Sequence, residues 1–236
     1  MKGKIFLIPS PLGDNDPQEV LSPLIFKAIE SINVFVVEEV RTARRFLSRA
    51  GLKGKIDTLS FYELNEHSTQ SDAERYIQLV EEGNDIGLIS EAGLPAVADP
   101  GSMLVKLAHD RDIEVVPFVG PSSLMLALMS SGMNGQKFAF IGYLPVKGDE
   151  RRAELKKIEK ISQQTAQTQI IIETPYRNDS LFADMLETLS PATRICVAVD
   201  ITLPSQFIRT KTVGEWKKCG LVIGKRPCVF VLSANN

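Results

Sequence analysis

Short apolar runs alternate with amphipathic stretches through the first half of the chain. Lys4–Ile8, Val34–Glu38, Ile56–Ser60, Ile86–Ser90 and Ile113–Pro117 are brief, rich in β-branched residues and apolar nearly throughout. That is the pattern of strands covered on both faces. Helical stretches lie between them. One carries the capping box Ser71-Asp72-Ala73-Glu74, an inward stripe of Tyr76, Leu79 and Val80, and a stop at Gly83. Strand–helix alternation of this kind predicts a parallel sheet with right-handed crossovers.

The pattern changes at Val119-Gly120-Pro121. A Leu- and Met-rich helix is expected over Ser122–Ser131, then a strand at Phe138–Gly142 and a charged helix from Glu150 to Ile161. Gln169–Glu173 reads as a strand, and Asn178 as the cap of a helix whose stripe is Leu181, Phe182, Met185, Leu186 and Leu189. Arg194–Val199, Gln206–Thr212 and Cys228–Ser233 follow as strands, with only a short helix near Trp216. Consecutive strands with little between them suggest hairpins and a mixed sheet. The expected architecture is two α/β domains, residues 1–118 around a mostly parallel sheet and residues 119–236 around a mixed one. No internal repeat or low-complexity segment appears.

Composition narrows the class. The 236 residues are 44% hydrophobic and 24% charged, ordinary for a globular chain with a real core. No apolar run approaches a membrane span, and the amino-terminal one, ended by Pro9, is short for a signal peptide. Cys196, Cys219 and Cys228 are odd in number and lack metal-ligand spacing, which fits a reduced, cytoplasmic protein with Cys196 and Cys228 inside strands. The formal charge of −2 is uneven. Residues 1–118 carry 12 Lys and Arg against 19 Asp and Glu, and the remainder 15 against 10. Such a dipole can orient a polar partner, or two surfaces may simply differ in charge.

Candidate chemistry collects where strands end. Residues 90–101, Ser-Glu-Ala-Gly-Leu-Pro-Ala-Val-Ala-Asp-Pro-Gly, leave the apolar run Ile86–Ile89 in a Gly- and Pro-bent turn. Open α/β sheets place small ligands at such carboxyl ends. Pro9-Ser10-Pro11-Leu12-Gly13-Asp14 lacks the dinucleotide glycine spacing and a Walker lysine, and its prolines remove two donors. It is a stiff wall rather than a phosphate cradle. Glu38-Glu39-Val40-Arg41 offers two carboxylates and a guanidinium suited to phosphate or carboxylate, or a plain surface ion pair. Asn65-Glu66-His67 forms a polar loop; His67 and His109 read as solvated, and without a His/Cys/Asp cluster no metal is expected. Tyr176 and Arg177 in Glu173-Thr174-Pro175-Tyr176-Arg177 suit a stacked ring and a phosphate, or a helix entry. Arg152, Lys156 and Lys160, within a basic stretch from Lys147, share a helix face that reads either as phosphate-attracting or as solvated.

Taken in order, these loops resemble the tetrapyrrole methylase superfamily. Within it they are most similar to the bacterial small-subunit ribosomal RNA cytidine 2′-O-methyltransferases. Pro-Ser-Pro-Leu-Gly-Asp, Glu-Glu-Val-Arg, Asn-Glu-His, residues 90–101, Val-Gly-Pro-Ser-Ser and Glu-Thr-Pro-Tyr-Arg carry the likeness over nearly the whole chain. Gly142-Tyr143-Leu144-Pro145 followed by Arg151-Arg152 points to the RNA branch. The resemblance implies S-adenosylmethionine, spent as S-adenosylhomocysteine, in a cleft between the two domains of a homodimer that binds no metal. It implies cofactor contacts for Ser10, Ser90, Gly93, Leu94, Val97, Ser122 and Ser123, with Tyr176, Ala198 and Pro227 by the adenine. Glu39, Arg41 and Glu66 would face the substrate, either carboxylate taking the proton of a ribose hydroxyl. The implied partner is ribosomal RNA or the small ribosomal subunit, with no membrane.

The chain departs from that subfamily at Glu39-Val40, where Asp-Thr is usual, at Val199–Leu203, where Arg-Glu-Leu-Thr-Lys is usual, and at Arg226-Pro227, where Gly-Glu is usual. Many members also carry a carboxyl-terminal helical extension beyond the position of Asn236. The resemblance therefore extends to fold and cofactor and not to the exact nucleotide. Two other functions share the loops: C-methylation of a corrin or porphyrin precursor, and a non-catalytic cofactor-binding scaffold.

Overall fold

In the computed structural model, which describes residues 1–235, the alternation of the first half becomes β1 (Ile5–Ile8), α1 (Pro17–Val20), α2 (Pro23–Ile29), β2 (Val34–Val37), α3 (Val40–Leu47), β3 (Ser60–Glu63), α4 (Gln70–Glu81), β4 (Ile86–Ile89), α5 (Gly101–Asp110) and β5 (Val115–Pro117). The strands form one parallel sheet in the order β3-β2-β4-β1-β5. Period-2 alternation splits each inner strand between two cores. Ile8, Phe35, Val37 and Ile89 pack with Ile25, Ile29, Phe46 and Leu47 on one face. Ile5, Val36, Ile86 and Leu88 pack with Tyr76, Ile77, Val80 and Leu104 on the other. Because every strand is parallel, the loops after β1 to β5 that leave carboxyl ends gather at one edge of the sheet.

Two local expectations for this half are corrected. Ile56–Thr58 is a 3₁₀ turn, and β3 begins at Ser60, where its N–H donates to Asn33 C=O at 2.9 Å. Ile56 is buried against the α2–α3 core, so its apolar character reflects packing and not a strand. The capping box of α4 is Thr69 with Asp72, two residues upstream of the expected one. Thr69 N–H donates to Asp72 Oδ2 at 2.9 Å and Asp72 N–H to Thr69 Oγ at 3.3 Å.

The chain divides into two compact units, the first ending at Ser122 and the second starting at Ser123. The second contains α6 (Ser123–Ser131), β6 (Phe138–Gly142), α7 (Gly148–Thr165), β7 (Thr168–Ile172), α8 (Asn178–Thr188), β8 (Arg194–Val199), β9 (Phe207–Thr212), α9 (Val213–Trp216) and β10 (Cys228–Ser233). Its sheet runs β6-β7-β10-β8-β9; β6 and β7 are parallel and the other pairs antiparallel, the mixed sheet expected. Leu155, Ile158, Phe182, Met185, Trp216 and Phe230 fill its core, and Trp216 Nε1–H donates to Ile195 C=O at 2.9 Å. Cys196 and Cys228 are buried in β8 and β10, and Cys219 is exposed.

Two further expectations are corrected here. Asn178 is not a cap: a 3₁₀ turn at Pro175–Arg177 precedes it, and its buried side-chain amide donates to Arg226 C=O at 2.7 Å. The basic stretch is only partly a solvated or phosphate-seeking face. Arg151 is buried, with Nε–H donating to Asp184 Oδ2 at 2.6 Å and Nη2–H to Ser180 Oγ at 2.8 Å. Arg152 Nη1–H donates to the other Asp184 oxygen at 2.9 Å, and its Nη2 pairs with Asp149. Lys156 and Lys160 remain exposed. Among the described residues, no helix is long and apolar enough to cross a membrane.

Candidate active site

The carboxyl edge of the parallel sheet is stitched together by its own loops. Ser10 N–H donates to Gly93 C=O at 2.9 Å and Gly93 N–H returns to Ser10 C=O at 3.1 Å, a two-residue bridge between the loops after β1 and β4. Buried Ser10 Oγ–H donates to Ser90 C=O at 3.0 Å. Gly93 has φ 78°, and a Cβ there would stand 3.1 Å from Leu12 and 3.3 Å from the Pro121 carbonyl. The loop after β5 is held closer still, since a Cβ on Gly120 would lie 2.1 Å from Pro9 Cβ. Only the smallest residue allows that approach.

The rest of the 90–101 loop is conformationally costly. Ala96 at φ 64° and Ala98 at φ 59° are left-handed without being glycine, at a cost of about 1–2 kcal/mol each. Asp99 offsets part of this: its Oδ1 accepts from Ala96 N–H at 3.1 Å and from Gly101 N–H at 2.5 Å, the latter at the start of α5. Leu94 is half-buried and Val97 exposed on this segment. Strain that the surroundings hold in place is characteristic of functional sites.

The carboxylates beside this loop differ sharply in state. Glu39 is the N-cap of α3: Oε1 accepts from Arg41 N–H at 2.7 Å, and Oε2 from Thr42 N–H at 2.7 Å and Thr42 Oγ–H at 2.6 Å. The Thr42 hydroxyl, the backbone donors and the adjacent Arg41 charge hold its carboxyl below the usual carboxylate range. A carboxylate so occupied is a poor proton acceptor, so the geometry assigns Glu39 to the cap rather than to base work. Arg41 is exposed on the first turn of α3. Glu66, in the loop after β3, is exposed with His67 Nε2 at 3.6 Å.

Glu38 is the residue that sequence reading passed over. It leaves β2 half-buried, Oε1 accepting from Glu91 N–H at 3.2 Å. Burial, then a hydrogen bond with Asp99, pushes its carboxyl up to about 7. Burial also pushes Glu91 up. The link became visible only with the sheet order: β2 neighbours β4, Val37 lies opposite Ile89, and so the residues following each strand meet.

A cleft of about 260 Å³ opens beside these loops within the first unit. Ser10, Leu12, Thr42, Arg45 and Glu91 line it, together with Arg49, whose guanidinium donates to Asp14 Oδ1 at 2.6 Å and Asn15 C=O at 2.8 Å.

In the second unit, Tyr176, Ala198 and Pro227 meet at one end of the mixed sheet. Ala198 is buried opposite Val229, and Asp200 N–H donates to Pro227 C=O at 3.0 Å. Tyr176 is 78% exposed, with Lys225 Nζ 5.0 Å from its ring centroid. Arg177, by contrast, is committed to the buried Glu173 carboxylate through Nε–H at 2.9 Å and Nη2–H at 2.6 Å. Ser122 ends the first unit and Ser123 opens α6. Among the described residues, no group of three His, Cys, Asp or Glu side chains is placed to hold a metal ion.

Comparison with known proteins gives this arrangement a context. The sequence model of the tetrapyrrole (corrin/porphyrin) methylases matches residues 4–217. The chain is 30% identical over 216 residues to ribosomal RNA small subunit methyltransferase I of Neisseria meningitidis serogroup A, covering 90% of this chain and 69% of that protein. Against the protein of the same name from Escherichia coli O157:H7 it is 28% identical over 217 residues, covering 91% and 71%. In fold it is similar to the methyltransferase CobJ, with TM-score 0.66, 15% identity and coverage of 98% and 94%. It is likewise similar to the uroporphyrin-III C-methyltransferase of Thermus thermophilus complexed with S-adenosyl homocysteine, with TM-score 0.61, 14% identity and coverage of 98% and 97%.

Proposed function

The chain belongs to the tetrapyrrole (corrin/porphyrin) methylase family, and from that premise we propose that it methylates a ribose 2′-hydroxyl, that of a cytidine, in small-subunit ribosomal RNA. It is an S-adenosylmethionine-dependent methyltransferase. The observation that carries the RNA reading is the likeness to ribosomal RNA methyltransferases along nine-tenths of the chain.

The residues present fit the donor. Gly93, with its left-handed φ, leaves a space between Leu12 and Pro121 that a Cβ would fill, and Ser10 and Ala92 beside it line the cleft. Ser10, Ser90, Gly93, Leu94, Val97, Ser122 and Ser123 are our candidates to hold it, with Tyr176, Ala198 and Pro227 for the adenine. Bound donor supplies an electrophilic methyl group on a cationic sulfonium. The acidic groups at this edge, Glu91 and Asp99, favour a cation there. Alignment of the attacking oxygen by the walls of the site supplies about 7–11 kcal/mol of barrier reduction. Glu66 is the carboxylate left to accept the hydroxyl proton, since Glu39 is spent on the cap of α3. Arg41 is our candidate for a phosphate contact.

Incubation of the protein with methyl-labelled S-adenosylmethionine and small ribosomal subunits should place label in RNA at a ribose. Label entering uroporphyrinogen or a precorrin, with none in RNA, replaces this reading by tetrapyrrole methylation. Arg41→Ala should lower kcat/KM for RNA by roughly 10- to 100-fold, the worth of one charge-assisted contact, while calorimetry shows donor affinity unchanged. Equal loss of both would make Arg41 structural.

We assign the protein to the cytoplasm and to a homodimer. Phe138 and Phe140, alternate residues on one face of the edge strand β6, are 39% and 36% exposed, and Met129 of α6 is exposed with them. Large apolar side chains left open in this number suit a second copy. Light scattering on the purified protein gives twice the chain mass on this reading.

A further inference from the structure

We propose that Glu38 is a positioning residue: protonated, it donates to the Asp99 carboxylate and locks the 90–101 loop in its strained form, and its ionisation releases the loop. The proposal rests on that loop being the donor site. Three contacts carry it. Glu38 Oε1 accepts from Glu91 N–H at 3.2 Å, at the start of the loop. Its carboxyl hydrogen-bonds Asp99. Asp99 in turn holds Ala96 N–H at 3.1 Å and Gly101 N–H at 2.5 Å, bracketing the two left-handed alanines. One side chain from β2 thus spans both ends of a segment that belongs to β4.

Two carboxyl groups share a hydrogen bond only while one of them keeps its proton. Burial of Glu38 makes it the one that does. The charges bearing on it do not compensate its ionisation. The loop after β4 contributes Asp99 and Glu91, both acidic. Its own element contributes Glu39, bound into the cap of α3, and Arg41, which acts on Glu39. The loop after β3 contributes Glu66 and His67, which pair with each other. The sign follows from the raised folded-state value. The lock is fully present below the ordinary carboxylate range and is lost as pH rises through about 7.

Hydrogen exchange of peptide 90–101 in the free protein, corrected for the intrinsic pH dependence, reads the lock without any donor. Between pH 6 and 8.5 wild-type protection should fall by roughly tenfold, the effect of a single unit of differential pKa. Glu38→Gln, which keeps the shape and a donor but cannot ionise, should hold high protection throughout. Glu38→Ala should show low protection throughout. A flat wild-type profile overturns the proposal, and so does a Glu38→Gln profile that follows wild type. Donor titration at the two pH extremes should weaken in wild type and stay level in Glu38→Gln. If donor fails to bind at any pH while the exchange profiles are as expected, the site assignment falls and the lock stands.

Discussion

Asp184→Ala is expected to destabilise the second unit by about 3–5 kcal/mol, the cost of stranding a buried charge. The side chains of Arg151 and Asp184 are only 6% and 9% exposed. Removing the carboxylate leaves the Arg151 guanidinium without its anion and releases Arg152 Nη1 from the same residue. Ser180 Oγ at 2.8 Å remains as a neutral acceptor for Arg151, which does not balance the charge. Trp216 is the sole tryptophan and is buried in the same core, so its fluorescence during urea unfolding reports on this unit alone. The transition midpoint should drop while the slope stays constant. Replacing both partners by apolar residues, Arg151→Met with Asp184→Leu, should recover most of the loss, because no buried charge is then left unpaired. A single variant that unfolds within about 0.5 kcal/mol of wild type would mean that water reaches Arg151.

The same pair shows why part of the molecule was hidden in the sequence. Lys147, Arg151, Arg152 and Lys156 read as a charged face because a helical projection sees only neighbours three and four residues away. Asp184 is 33 positions downstream of Arg151, and only the packing of α7 on α8 brings it there. Local signals did specify much of the architecture. Four of the five strands of the first unit stand where apolar runs separate helical stripes, at β1, β2, β4 and β5. The exception, β3, is an edge strand with polar ends, and a buried 3₁₀ turn at Ile56 imitated it.

The candidate site was legible as a set of loops and not as a set of states. The 90–101 segment announces itself through glycine and proline, yet nothing local says that Ala96 and Ala98 are left-handed or that Asp99 restrains them. Glu38 and Glu39 are adjacent in sequence and opposite in character, one carboxyl held up by burial and the other held down by capping. The difference arises because consecutive residues at the end of a strand point to opposite sides, and only one side faces the loop of β4.

Gly120→Ala should reduce methyl transfer by about 10²-fold, the scale set by a misplacement of roughly 1 Å in a catalytic geometry. The added Cβ would stand 2.1 Å from Pro9 Cβ and 2.4 Å from Pro9 Cγ. A proline ring cannot rotate aside, so the loop after β5 must move away from the loop after β1. The loop after β1 is fixed in turn by its two-way bridge to Gly93 and by the Ser10–Ser90 hydrogen bond. Displacement is therefore passed on to the 90–101 loop rather than absorbed. Gly54→Ala is the matched control, because nothing lies within 4 Å of the Cβ it would add. It should leave transfer and stability as they are. Donor affinity measured by calorimetry should fall with the rate in Gly120→Ala, since the residue touches the walls of the donor site and no part of an RNA contact. If affinity is kept and only the rate for RNA falls, the three loops do not form one rigid wall, and the donor is held without the loop after β5.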